Sequence, residues 1–199
     1  MSVDMTKWQE MAKENIHNRP AGTGRLAGKI TVVTGAAQGF GKGIAEELYK
    51  EGATIIVADM NHSLAEQVAV EMGERAYAIA VNVANEESVA NMVAQVVEKF
   101  GGLDIMVANA GVVRSGPIAT FEQKDFEFVT SINYSGLFLC AKYASIIMEA
   151  QHEADTVGHG EPSDTHGHAA GESGDGSAAL YGGVVTLPSP LSPAASLWA

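Results

Sequence analysis

Positive charge, cysteine and long apolar runs are all scarce in this chain of 199 residues. Lysine and arginine number 12 against 24 aspartates and glutamates, a formal net charge of -12. A surface for nucleic acid or anionic membrane needs clustered Lys and Arg, so neither partner class is expected, and the acidity chiefly favours solubility. Cys140 is the only cysteine. No internal disulfide or cysteine-based zinc site can form from one thiol, which fits a reducing compartment, and on a helix Cys140 reads as a small apolar filler. No apolar run approaches the ~20 residues of a membrane span, and the N-terminus is polar rather than signal-like. The chain is therefore read as cytoplasmic. Its 46% hydrophobic content is enough for one domain with a real core.

What the chain does have is concentrated between Lys29 and Gly41. Ile30, Val32 and Val33 form a β-branched run suited to a strand buried on both faces, and glycines follow at once after Thr34. Gly35, Gly39 and Gly41 stand where a chain leaving a strand must turn tightly, admit a phosphate to its backbone and pack a helix on the sheet. A pyrophosphate there would meet free N–H groups and the positive end of the helix dipole. Taken alone, three glycines could equally be an ordinary turn.

Further elements follow in a regular alternation. A helix from Gly39 presents Ile44, Ala45, Leu48 and Tyr49 on one face and ends at Gly52; Thr54 to Ala58 reads as a second strand closed by Asp59. That acid lies roughly 20 residues beyond the glycines, where a carboxylate can accept hydrogen bonds from both adenosine ribose hydroxyls and repel a 2′-phosphate. Its plainer reading is a solvated acid at a strand end. Gln38 precedes Gly39, so no cation stands there for a 2′-phosphate, and both features favour NAD over NADP. Leu64, Val68 and Met72 mark a second helix, Tyr77 to Val83 a third strand, Val89 to Phe100 a third helix ended by Gly101, and Leu103 to Ala108 a fourth, central strand. Right-handed crossovers then give a parallel sheet in the order 3-2-1-4, with ligands expected at the reversal between strands one and four.

The spacing Gly-x-x-x-Gly-x-Gly after Thr34, with Asn109-Ala110-Gly111 closing the fourth strand, resembles the short-chain dehydrogenase/reductase family. The resemblance covers about residues 25–150 and implies a three-layer, Rossmann-like, doubly wound α/β fold and hydride transfer between NAD(P) and an alcohol or carbonyl. It implies cofactor contacts from Thr34, Gly35, Gln38, Gly39, Phe40, Gly41, Asp59, Met60, Asn82, Val83, Asn109, Ala110 and Gly111. Where the family usually has an Asp for the adenine amino group this chain has Asn82, whose amide oxygen can still accept. Asn133, inside the helical stretch that starts near Thr120, matches an Asn that bends this helix and holds a water of the proton relay; otherwise it is a surface amide. The same helix supplies the family's usual dimer surface, so a homo-oligomer is implied. Gly24-Arg25-Leu26-Ala27-Gly28 and TGAAQGFGKGIA further resemble the sorbitol-6-phosphate and sugar-alcohol dehydrogenase subgroup.

The pattern stops near Ala150. A working member needs a fifth strand delivering a Ser, then a Tyr with a Lys four residues later, the Tyr exchanging a proton with the substrate oxygen and the Lys lowering its pKa. Tyr181 is followed four places on by Val185, and no Lys occurs from Tyr143 to Ala199, so the Ser and Tyr-x-x-x-Lys set that the resemblance implies is read as missing. From Glu149 onward there are seven acids, no Lys or Arg and four of the six prolines. Such a composition buries too little apolar surface to offset ordering entropy, so disorder is expected from about His152, with Ala178 to Leu187 the one stretch able to form a strand. His152, His159, His166 and His168 stand among acids, but without a rigid frame only weak, adventitious metal affinity is expected. The expected organisation is an extension over 1–25, in which a short helix around Met5 to Asn15 could dock a Trp8, Met11 and Ile16 stripe on a neighbour but a loosely held arm is preferred, an incomplete NAD-binding half-domain over 26–151 and a low-complexity tail over 152–199. Two readings remain: an NAD-binding remnant separated from its catalytic half by truncation, splicing or a frame shift, inactive alone; or a non-catalytic binding or regulatory protein that engages a partner, such as a full-length relative, through the long helices after Thr120.

Overall fold

The computed structural model describes residues 3–19, 23–158 and 183–186. Helix α1 (Thr6–Glu14) precedes the alternation β1 (Ile30–Thr34), α2 (Gly39–Lys50), β2 (Thr54–Asp59), α3 (His62–Met72), β3 (Ala76–Ala80), α4 (Glu86–Phe100) and β4 (Ile105–Ala108). A 3-10 turn (Ile118–Thr120), α5 (Gln123–Thr130), a π turn (Ser131–Ser135), α6 (Gly136–Gly158) and β5 (Gly183–Thr186) complete it. All strand pairs are parallel, in the order β3-β2-β1-β4-β5. The expected 3-2-1-4 arrangement is present.

Side chains alternate across the buried strands and so build two cores. Ile30 and Val32 of β1 with Ile56 and Ala58 of β2 pack under α4 and α6, while Val33, Ile55 and Val57 pack under α2 and α3. Each fully buried Val or Ile contributes about 1.5–3 kcal/mol, so a strand buried along its whole length, as β1 is, anchors the sheet. Helix ends are set locally. Asn61 caps α3 by accepting from the Leu64 N–H and Asn85 caps α4 by accepting from the Ser88 N–H; Gly101, at φ 82°, closes α4 in the left-handed region that glycine enters without strain.

Four expectations are corrected. The N-terminal extension is not loosely held: α1 lies on α4 and α6 with Met5 and Ala12 buried, Trp8 and Met11 packed on the same core, and the Val3 N–H donating to the Tyr143 hydroxyl at 3.2 Å. Helix α6 passes through the boundary expected at 151/152 and runs to Gly158, because Ala150 and Gln151 are buried and the Gln151 amide holds both backbone groups of Leu103, at 2.8 and 3.1 Å. That same pairing removes Leu103 from β4, which starts at Ile105. The sheet does not end at β4 either. Gly183–Thr186, within the one stretch of the tail suited to a strand, pairs with Ile105–Ala108 and covers that edge. Residues 159–182 and 187–199, to which most of the expectation of disorder and the candidate histidines His159, His166 and His168 belong, lie outside the described residues.

Candidate functional site

Where β1 and β4 part, the loops after β1, β2, β3 and β4 enclose a cleft of about 530 Å³. It is lined by Gly35, Gln38, Gly39, Phe40, Gly41, Asp59, Met60, Asn82, Val83, Asn109, Ala110 and Gly111, together with Val81, Val112 and Ile132. Every expected cofactor-contacting residue except Thr34 is therefore brought to one cavity. Thr34 lies behind it, 1% exposed, and holds the floor together. Its hydroxyl accepts from the Asn109 and Ala110 N–H groups, both at 3.1 Å. Asn109 returns the contact by donating from Nδ2 to the Thr34 carbonyl at 2.9 Å and the Gly35 carbonyl at 3.4 Å. A buried amide with both ends of its loop satisfied keeps the two strand ends in register.

The glycines divide their work. Gly35 (φ 67°) makes the turn out of β1, with its N–H donating to the Ala58 carbonyl at 2.8 Å. Gly41 is pressed against the Gly35 carbonyl and the Asn109 amide, so any side chain there would collide with backbone. Gly39 (φ 58°) is different: a Cβ at this position would meet nothing within 4 Å, so it opens on free space in the cleft. No side chain caps α2 at Gln38, which leaves the first-turn N–H groups open to a ligand. Free space beside an uncapped helix N-terminus fits a pyrophosphate.

Asp59 closes the next side. Its Oδ2 accepts from the Ala37 N–H at 3.1 Å and its Oδ1 from the Asn61 N–H at 2.9 Å, so the carboxylate is oriented from both sides while half-exposed to the cleft. Asn82, one strand further out, is exposed, and its Oδ1 accepts from the Ala84 N–H at 3.0 Å. Asn133 does not itself line the cleft but is bonded to Val112, which does. Its Oδ1 accepts from the Val112 N–H at 2.8 Å and its Nδ2 donates to the Val112 carbonyl at 2.9 Å. The amide thus competes for no bond of its own helix; it ties the loop after β4 to a helix widened at that point into a π turn, where the Gly136 N–H reaches the Ser131 carbonyl. Gly136 in turn packs so closely on Val83 that a Cβ would come within 2.8 Å of Cγ2, which sets α6 against the cleft.

Glu86 and Cys140 are among the groups outside the cleft whose pKa values are shifted. Glu86, at the start of α4, is held below the usual carboxylate range by hydrogen bonds from Lys142 (2.7 Å) and Tyr143 (2.9 Å). Burial pushes the Cys140 thiol up to about 12, which makes it inert packing material as its sequence context implied. Val81, Val112 and Ile132 are lining residues that sequence reasoning missed. They are apolar neighbours of Asn82, Gly111 and Asn133, and nothing in their type sets them apart. Among the described residues no group of three or more His, Cys, Asp or Glu could hold a metal ion, and no helix is long and apolar enough to cross a membrane.

A doubly wound parallel sheet with a glycine turn, an uncapped helix and an oriented acid at its switch point defines a nucleotide-binding α/β protein. Residues 29–158 match the family model for short chain dehydrogenases. The chain belongs to the short-chain dehydrogenase/reductase family. It is 35% identical over 173 residues to tropinone reductase-like 2 from Erythroxylum coca, which takes in 85% of this chain and 62% of that protein. It is 37% identical over 112 residues to sorbitol dehydrogenase from Cereibacter sphaeroides, 56% of this chain and 44% of that one. Among solved structures, 3-ketoacyl-(acyl-carrier-protein) reductase from Brucella melitensis, complexed with NADH, superposes with a TM-score of 0.63 at 31% identity, covering 65% of this chain and 54% of that chain. The chain thus spans 44 to 62% of the length of these relatives.

Proposed function

We propose that this chain binds NAD, in preference to NADP, across the cleft at the β1/β4 switch point, and that by itself it does not turn over. The observation that carries the reading is Asp59. Its carboxylate is fixed by two backbone N–H groups beside the glycine loop, where it meets a ribose diol and opposes a 2′-phosphate. The nearest candidate cation on α2, Lys42, is already engaged by Glu71 at 2.9 Å, and Gln38 brings no charge. The N–H groups that open α2 take the pyrophosphate, and Asn109 keeps that turn rigid. When bound, the dinucleotide supplies a hydride acceptor for oxidation of a secondary alcohol or sugar alcohol, or a donor for the reverse reaction. The relatives named a reductase and a sorbitol dehydrogenase are in keeping with that chemistry.

The protein's own proton-transfer groups are the incomplete part. Asn133 spends one donor and one acceptor on Val112, so it positions the rim and has only its remaining capacity for a water. Strand β5 is continued in the sequence by Leu187, Pro188 and Ser189, so a serine does follow a fifth strand, although these three residues lie outside the described ones. A Tyr with a Lys four residues on does not follow it. NAD should raise the melting temperature of the chain by mass action while sugar alcohols and secondary alcohols yield no NADH. No shift at millimolar NAD would refute the cofactor reading; NADH formation would refute the loss of turnover.

A second reading rests on the face of α5 and α6. Phe126, Tyr134 and Phe138 are 61, 77 and 60% exposed, an apolar stripe unusual for a free surface. It supports association with a second copy or a full-length relative. Sedimentation should then show a dimer or a complex that Phe138→Asp dissociates, whereas a monomer at all concentrations that also fails to co-purify with a relative would refute it.

A further inference from the structure

We infer that the end of the cleft beyond β4 takes a substrate carrying an oxyanion group, a carboxylate or a phosphate, and that Arg114 holds this group; the inference rests on the NAD-binding reading above. With the pyrophosphate on the opening turn of α2 and one ribose at Asp59, a dinucleotide lying across the switch point sends its other half over the end of β4. The reacting alcohol or carbonyl compound then sits on the far side of Gly111 and Val112, which line the cleft there. The chain is held in place along this stretch. Val112 exchanges two bonds with Asn133, at 2.8 and 2.9 Å, and two residues further on the Arg114 guanidinium lies over the Phe128 ring of α5, 5.2 Å from its centre. Phe128 stands four positions before Ile132, itself a lining residue, so Arg114 is at the mouth of the substrate end and not on a remote surface.

What sets Arg114 apart is that its guanidinium makes neither an ion pair nor a hydrogen bond with any described residue, in a chain whose formal net charge is -12. Acids are not lacking nearby. Helix α5 and its N-cap carry Glu122, Asp125 and Glu127, yet Glu122 is engaged by Lys124 at 2.5 Å and Glu127 by the Gln123 amide at 2.6 Å. By contrast Lys142 is paired with Glu86, and Arg75 donates to the Tyr49 and Ala53 carbonyls. Stacking on Phe128 uses a face of the guanidinium plane and leaves its edge N–H groups for a ligand. That fork matches two oxygens of a carboxylate or phosphate, whereas a neutral hydroxyl offers it one acceptor and no charge. The acidity of the chain opposes anions at long range, so the preference must come from this contact and weaken as salt rises.

Calorimetric titration of the full chain, saturated with NADH at low ionic strength, tests this with three ligands that differ at one end: D-sorbitol, D-gluconate and D-sorbitol 6-phosphate. Bound NADH covers the opening N–H groups of α2, so an anion held there does not enter the reading. Arg114 is exposed, so Arg114→Gln removes the charge without disturbing the core, and Arg114→Lys keeps the charge but gives up the fork. At least one of the two anions is expected to bind wild type about tenfold or more tightly than sorbitol, the value of one charge-assisted hydrogen bond. Arg114→Gln should lose this advantage and Arg114→Lys keep part of it, and the anion preferred assigns the group as carboxylate or phosphate. Equal affinities for the three, no binding by any of them, or an advantage that persists in Arg114→Gln overturns the inference. So does a tenfold weaker hold of Arg114→Gln on NADH itself, which would put the guanidinium on the cofactor. Failure of wild type to bind NADH overturns the cofactor reading and this inference with it, whereas NADH binding without an anion preference overturns the role of Arg114 alone.

Discussion

Replacing Asn109 should separate the support of the cleft from its lining. The side chain is 6% exposed, and its Nδ2 spans the carbonyls of Thr34 and Gly35 at 2.9 and 3.4 Å. Asn109→Ala removes one good hydrogen bond and one marginal one, leaves two carbonyls short of a partner in a buried place, and opens a small void. At about 1–3 kcal/mol for an unsatisfied buried group, plus a smaller cavity contribution, the loss is about 2–4 kcal/mol. For a domain of this size that is roughly 6–12 °C in melting temperature. Asn109→Asp is the sharper variant because it keeps the shape and replaces the donor by an acceptor facing two carbonyls. Its carboxyl is raised in the folded state, since only the protonated form can donate. A raised acid contributes its stability in full below the unfolded value near 3.9, and that stability is lost as pH rises through the folded value. Urea midpoints at pH 7 should therefore rank wild type above Ala and Ala at or above Asp, and the Asp variant alone should gain on wild type as pH falls from 7 toward 4.5. Should Asn109→Ala cost less than about 0.5 kcal/mol, or the Asp variant track wild type at every pH, the proposed role of this amide in the cleft floor would be wrong.

Three other outcomes follow from the same geometry. Gln151→Ala should lower stability by about 2 kcal/mol in urea unfolding, because both Leu103 backbone groups lose their partner, and Gln151→Glu should recover the acceptor half only. Gly41→Ala places a Cβ against the Gly35 carbonyl and the Asn109 amide, so NAD should cease to protect the chain from thermal unfolding even where circular dichroism still reports a folded sheet. Glu86 has a depressed carboxyl, and a depressed acid contributes stability above its unfolded value that disappears as pH falls through its folded one. Wild type should therefore lose more stability than Glu86→Gln on acidification below about pH 4.5, and parallel acid-melting curves would contradict the ion pair with Lys142.

Much of this protein was legible in its residues because the signals were local and periodic. The β-branched run of β1, the helical spacing of Val89, Met92, Val93, Val96 and Val97 and the glycine stops at Gly73 and Gly101 each act within a few residues. They determined the alternation of strands and helices, and with right-handed crossovers the sheet order and the place of the cleft. The spacing from Gly35 to Asp59 to Asn109 sufficed to gather one set of lining residues. Tertiary structure decided what depends on distant partners. Thr34 became a buried hub and not a lining residue because Asn109 and Ala110 donate to it from 75 and 76 positions away. Helix α6 outran its composition because Gln151 found Leu103, and α1 was held because α4 and α6 left it an apolar seat. Strand β5 formed from a stretch too short and too proline-bounded to stand alone, because β4 offered an unpaired edge. Composition and spacing report what a segment prefers by itself; pairing across 48 to 140 positions depends on where the folded chain brings the two partners.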